Sequence, residues 1–275
     1  MIRKPISFPT RVFLGILSIL LLIGGYSWLS YRQKMVNPKD TTIPNAQQFV
    51  EGWHRVMAPG LKEPVTFLEK LHHFRWLPED MITTYGRLFT GLLCGIILSL
   101  LTGMAMGCLT PIEALCLPLL SFFAKIPPTA MLAVYFVLFG TNTRFYVAMI
   151  ALGIFPTLAQ AIYQAAKKDV SDNIINKAFT LGASNIEVVW NVMFQQVLPR
   201  IIENIRLQIG PAMVFLIAAE YAVGGEGFGY RLKIQSRILN MNVVYIYLIV
   251  LGLSGFLFDW ILSSTRRKLC PWFGE

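Results

Sequence analysis

Apolar runs of about 20 residues recur along this chain, and shorter polar segments separate them. A bilayer core takes about 20 mostly apolar residues per helical crossing. The pattern therefore predicts about six transmembrane helices, at residues 12–31, 88–108, 115–139, 145–166, 204–223 and 238–258. The third run is interrupted by Lys125, Pro127 and Pro128. Proline lacks a backbone donor and breaks a helix. In lipid such a break persists only where it faces protein or a water-filled cavity. Pro156 and Gln160 interrupt the fourth run, and Gln208, Gly210, Pro211 and Glu220 the fifth. The expected fold class is an all-α polytopic membrane protein.

The polar segments divide the chain further. Arg3, Lys4 and Arg11 precede the first run, and Trp28 and Tyr31 close it as an interfacial aromatic belt. It exceeds the usual ~7–15-residue core of a signal peptide, so an uncleaved anchor is expected. Within residues 32–84, Phe49, Val50, Trp53, Val56 and Met57 form one apolar stripe at helical spacing. Thr66 and Glu69 make a capping-box pattern before Leu68, Leu71 and Phe74. Two amphipathic helices on the membrane surface fit this segment, and so does a hairpin that binds a partner. The division expected is an N-terminal anchor with its amphipathic segment, 1–84, and a core domain, 85–275.

Composition narrows the class. Of 275 residues, 55% are hydrophobic and 14% charged, against about a quarter charged in soluble domains. The net charge of +9 reads as basic flanks anchoring membrane spans rather than as a nucleic-acid surface. Cys94, Cys108, Cys116 and Cys270 lack CxxC spacing, and His54, His72 and His73 lack HExxH. Neither a zinc site nor a disulfide framework is expected, and no cofactor. No GxxxxGK[ST] occurs, so ATP is not bound through a P-loop of this chain. Six spans put both termini on one side, and three Lys/Arg in each short tail point to the cytoplasm.

With the tails inside, the polar segment between spans four and five is cytoplasmic too. Residues 172–181 suit a helix, and Gly182 suits the left-handed residue that ends one. Ser184 with Glu187 restarts a helix through a capping box, and Pro199 should bound the element. Ile186, Val189, Trp190 and Met193 give an apolar face. Residues 185–196 hold no Lys or Arg, which excludes a DNA-reading helix-turn-helix, since phosphate binding needs several basic groups. A docking elbow for a soluble protein remains, beside the plain reading of a helical surface loop.

Thr180-Leu181-Gly182-Ala183-Ser184 with Leu198-Pro199 resembles the EAA loop of ATP-binding-cassette importer permeases, especially the nitrate, sulfonate, taurine and bicarbonate branch. The triplet reads Asn176-Lys177-Ala178, without the family's glutamate, and the first of two Leu-Pro pairs has become Phe194-Gln195. Residues 125–130 (KIPPTA) followed by Phe139-Gly140 resemble the family's third span. Residues 217–220 (IAAE) with Gly227-Phe228-Gly229-Tyr230 resemble its fifth span and following turn. The resemblance covers about residues 82–265. It implies a homodimer of permeases that does no chemistry itself, in the bacterial inner membrane. Its partners would be separate ATPase subunits, an extracytoplasmic solute-binding protein and membrane lipid, with no nucleic acid. Ala178, Thr180, Leu181, Gly182, Ala183, Ser184, Glu187, Trp190, Leu198 and Pro199 would couple to the ATPase.

Candidate pathway residues are Lys125, Pro127, Pro128, Thr129, Gln160, Gln208 and Glu220. A carboxylate in lipid is costly, so Glu220 either pairs with a basic residue of the next loop, Arg231 or Lys233, or meets solute. Lys125 either snorkels to the inner interface or attracts an anion. Gln160, Gln208 and Thr129 either serve the pathway or hydrogen-bond between helices. Asp259 would pair with a basic tail residue. The glycines of residues 224–229 read as turn-formers. An oxyanion is the solute the resemblance implies, and a small nitrogenous cation is the alternative that Glu220 would suit. Two other readings compete. A membrane-embedded enzyme finds no histidine in any span, and a stand-alone channel or secondary transporter finds no inverted repeat.

Overall fold

The structure, a computed structural model, describes residues 7–38, 40–57 and 76–273. The capping-box pattern of Thr66 and Glu69 lies outside these residues. Ten helices are labelled here, with no strand among the described residues. They are α1 (Phe8–Val36), α2 (Ala46–Met57), α3 (Trp76–Cys108), α4 (Thr110–Phe123), α5 (Leu132–Phe139), α6 (Thr143–Asp169), α7 (Asp172–Thr180), α8 (Asn185–Val223), α9 (Phe228–Arg237) and α10 (Met241–Leu269). Five are long and apolar enough to cross a membrane. A sixth crossing is counted if α4 and the stretch Pro128–Phe139 make one broken span.

That broken span bends by 83°. Its cause is local. Pro127 and Pro128 supply no backbone donors, so α4 ends, and a short 3₁₀ turn at Pro128–Met131 restarts the chain as α5. Gly140 ends α5 at φ +69°. Two expectations are corrected at α8. Pro199 lies inside the helix rather than at its boundary, as does Pro211. The elbow helix and the fifth span are therefore one continuous element, with a wider π-helical stretch at Val188–Phe194.

The chain divides into two compact units. One comprises Met1–Leu77 with Ile234–Leu248, the other Pro78–Lys233 with Ile249–Glu275. The division between Leu77 and Pro78 falls in the first turn of α3.

In the first unit, α1 buries only Ser30, whose hydroxyl donates to the Ile43 carbonyl at 3.0 Å. The remaining exposed Leu, Ile and Phe side chains suit a lipid-facing helix. Tyr26 donates to the Pro44 carbonyl at 2.8 Å, and its ring packs with those of Phe49 and Tyr245. An Asn45–Gln48 reciprocal cap starts α2. Its predicted stripe splits: Val56 is buried, while Val50 and Trp53 are exposed.

In the second unit, α3 and α6 meet along a glycine seam. A Cβ on Gly91, Gly95 or Gly103 would come within 2.7 Å of Ile150, Ile154 or the Ala159 carbonyl, and one on Gly107 within 2.5 Å of the Ala166 methyl. Small residues four apart let membrane helices approach this closely. Around the seam, Leu88, Phe145, Met149, Ile150, Ile154 and Leu216 form the core. A second core joins Leu158, Ile162, Val188, Met193 and Val197, and carries the elbow.

Candidate functional site

The elbow is built by two opposed caps. Helix α7 ends at Gly182, φ +86°, with the Ala183 amide donating to the Ala178 carbonyl at 3.1 Å and the Gly182 amide to Phe179 at 3.0 Å. This 6→1 and 5→2 pair satisfies carbonyls that the helix end would leave open. The next helix starts with a reciprocal box. The Ser184 amide donates to the Glu187 carboxylate at 2.8 Å, and the Glu187 amide donates to Ser184 Oγ at 3.4 Å. Thr180 donates to the Lys177 carbonyl. The turn is thus fixed by hydrogen bonds among its own residues, backbone and side chain.

The apolar face expected there splits in two. Val188, Met193 and Val197 point into the core, whereas Leu181, Ile186 and Trp190 are 88%, 81% and 62% exposed. Trp190 stacks flat on Phe194, ring centroids 4.9 Å apart. These large apolar side chains are held out on the turn and take no part in the core. Leu198 is half-buried and Pro199 buried, so neither belongs to that outer surface.

A cavity of about 540 Å³ lies against the broken span. Pro128, Tyr135, Phe155, Thr157, Gln208 and Phe215 are among its walls. Of the pathway candidates, Pro128 and Gln208 line it. The Thr157 hydroxyl reaches Gln208 Oε1 at 3.5 Å and the Ile154 carbonyl at 3.0 Å. Lys125, Pro127 and Thr129 sit exposed on the break. The amide nitrogen of Gln160 is buried without a hydrogen-bond partner, so the interhelical bond expected of it is not made by that atom.

Glu220 is fully buried and lies outside the cavity wall. Its partner is not Arg231 or Lys233 but Arg87, at 3.0 Å. Thr84 Oγ and the Gly229 amide also donate to its carboxylate, at 3.0 Å each. Arg87 reaches on to Glu226 at 3.0 Å and lies over the Tyr146 ring at 4.1 Å. Arg231 instead pairs with Asp80 at 2.9 Å, and Asp80 accepts from the Gly227 amide at 3.1 Å. The Phe228 amide donates to Thr84 Oγ at 2.9 Å. Lys233 donates to the Ala222 carbonyl. Asp259 pairs with Arg206 of α8 at 2.8 Å, not with the tail, while the tail's Arg266 takes Glu203.

Asp80, Thr84 and Arg87 were missed in the sequence. Their spacing of four and three residues puts them on one helix face, but α3 starts at Trp76, about three turns before its apolar run. A charged residue outside the run looked like loop. The whole cluster ties the glycine-rich turn to α3: a Cβ on Gly227, at φ +100°, would meet Glu220 Oε1 at 2.5 Å.

A helical membrane domain with a broken span, an internal cavity and an outward apolar elbow is the build of a transport permease. Residues 91–269 match the family described as binding-protein-dependent transport system inner membrane component, and the chain belongs to that family. It is 26% identical over 273 residues to the taurine transport system permease protein TauC of Escherichia coli K12, covering 99% of this chain and 94% of TauC. It is also 26% identical over 229 residues to the putative aliphatic sulfonates transport permease protein SsuC of Bacillus subtilis 168, covering 82% of each. Among solved structures, the MetNI methionine ABC transporter in an inward-facing conformation superposes with a TM-score of 0.59 at 17% identity. That match covers 74% of this chain and 99% of the other.

Proposed function

We propose that two copies of this chain form the membrane pathway of an ATP-binding-cassette importer for a small oxyanion, with sulfonates such as taurine first among candidates. ATP hydrolysis belongs to separate subunits, and solute is delivered by an extracytoplasmic binding protein. Both termini and the elbow face the cytoplasm. The observation that carries this reading is the elbow: Leu181, Ile186 and Trp190 stand exposed on a turn that its two caps make rigid. Such a patch in the headgroup region would serve an ATPase groove, with hot-spot aromatic and aliphatic anchors at its centre. ATP-driven closure of the ATPases would move it as a rigid body and alternate the pathway.

The relatives named for taurine and aliphatic sulfonates support the oxyanion. The cation alternative loses its carboxylate, because Arg87 neutralises Glu220 inside the protein. Pro128, Gln208 and Thr157 at the cavity, with Lys125, Pro127, Thr129 and Gln160 near the break, are the proposed pathway residues. The test is purification of the tagged permease from its native membrane. An ATPase that comes with it, and is lost on Trp190→Ala with Ile186→Asp, supports the reading. Isolation as a lone conducting pore overturns it in favour of a channel.

A further inference from the structure

We infer that α8 is a lever whose fixed end is the Arg87–Glu220 clamp, and that the clamp stays shut while the rest of the helix moves. This rests on the docking reading of the elbow and goes beyond it. Helix α8 runs 39 residues without interruption, about 58 Å at the usual rise. One end carries the exposed Ile186 and Trp190, the middle lends Gln208, Pro211 and Phe215 to the cavity wall, and the other end carries Glu220.

The two ends differ in freedom. At the Glu220 end the ties that hold the helix to α3 and to the glycine turn are short and buried, with the Arg87–Glu226 pair at their rim. The carboxylate holds Arg87, Thr84 and the Gly229 amide, Asp80 holds the Gly227 amide, and no room remains for a Cβ at Gly227. Well-packed ionic networks have discrete arrangements and do not deform gradually. Toward the elbow the helix is built to yield. It has a π-helical stretch at Val188–Phe194, prolines at 199 and 211, and Gly210 with open space where a side chain would stand. Such features are where helices bend. A push on Trp190 would therefore be taken up between 188 and 211, beside the cavity. Arg87 and Glu220 are positioning residues in this scheme and touch no solute.

The experiment uses the copurified complex in lipid nanodiscs, with Cys94, Cys108, Cys116 and Cys270 replaced by serine or alanine. Spin labels go on Ile82→Cys with Gly225→Cys, across the clamp, and on Leu109→Cys with Leu181→Cys, across the elbow. Distances are read with and without trapped ATP. The lever predicts a nucleotide-dependent change in the elbow pair and none in the clamp pair. In sealed proteoliposomes made from the same complex with its solute-binding protein, Glu220→Gln should retain ATP hydrolysis but transport several-fold less taurine per ATP, a coupling loss that simple misfolding would not give. A clamp pair that moves with nucleotide overturns the lever while leaving the docking reading intact. So does an unchanged taurine-to-ATP ratio in Glu220→Gln. If no ATPase copurifies, the docking reading fails and the lever with it.

Discussion

Gly227 and Glu220 show how little freedom single positions have near the clamp. Gly227→Ala forces a left-handed backbone on a residue with a side chain and drives its Cβ against Glu220 Oε1. It should destabilise the protein by about 1–3 kcal/mol, read as a lower melting temperature in detergent. Removing one partner of the buried pair should cost more. Glu220→Ala removes the buried carboxylate and leaves Arg87, 8% exposed, with only the rim residue Glu226 to compensate it, a loss of about 3 kcal/mol, the low end for a broken buried pair. Replacing both with methionine should recover much of that, and a double-mutant cycle of melting curves measures it. Asp40 lies in the polar loop before α2. Hydrogen bonds from the Thr42 hydroxyl, then from Gln33, lower its pKa from 3.8 to about 2. A depressed carboxylate stabilises the fold above its unfolded pKa. That contribution is whole above pH 3.8 and fades as pH falls toward 2. Faster amide exchange at Thr42 over that window, absent in Asp40→Asn, would check it.

At the scale of elements, caps and breaks were legible because they are local. Gly182 stands in the left-handed region and Ser184 with Glu187 forms a reciprocal box, both readable from residue type and spacing. The break after Lys125 follows from two prolines that cannot donate. Pro199 misled because a proline inside a membrane helix is tolerated where neighbours re-satisfy the backbone. The apolar face of the elbow misled for another reason. Helical spacing groups Ile186, Trp190 and Met193 as apolar, but only packing decides which of them meets the core. The turn itself can be tested. Gly182→Val puts a β-branched residue at φ +86°, where such residues are outliers. Membrane insertion should be unchanged while coupling of ATP hydrolysis to uptake falls. Full uptake would count against the elbow.

For the molecule as a whole, the number of crossings and the family follow from composition and from motif order, while sidedness is a prediction from tail charge. A cysteine at Ile186, in a background lacking the four native cysteines, should react with an impermeant maleimide only in inverted vesicles. Reaction in right-side-out cells would reverse the topology and remove the ATPase from reach of the elbow.

Sequence alone determined the apolar spans, the break after Lys125 and the caps at Gly182 and Ser184, because each depends on residues within a few turns of one another, and the kinship follows from the order of such local motifs. Tertiary structure alone decided the partners of charge. Arg87 lies 133 positions from Glu220 and 139 from Glu226, and no local spacing encodes that meeting. The loop lysine and arginine nearest in sequence to Glu220 were the reasonable guesses. They lost because α3 passes beside α8 through its glycine seam with α6, and a buried carboxylate takes the cation that packing delivers to it.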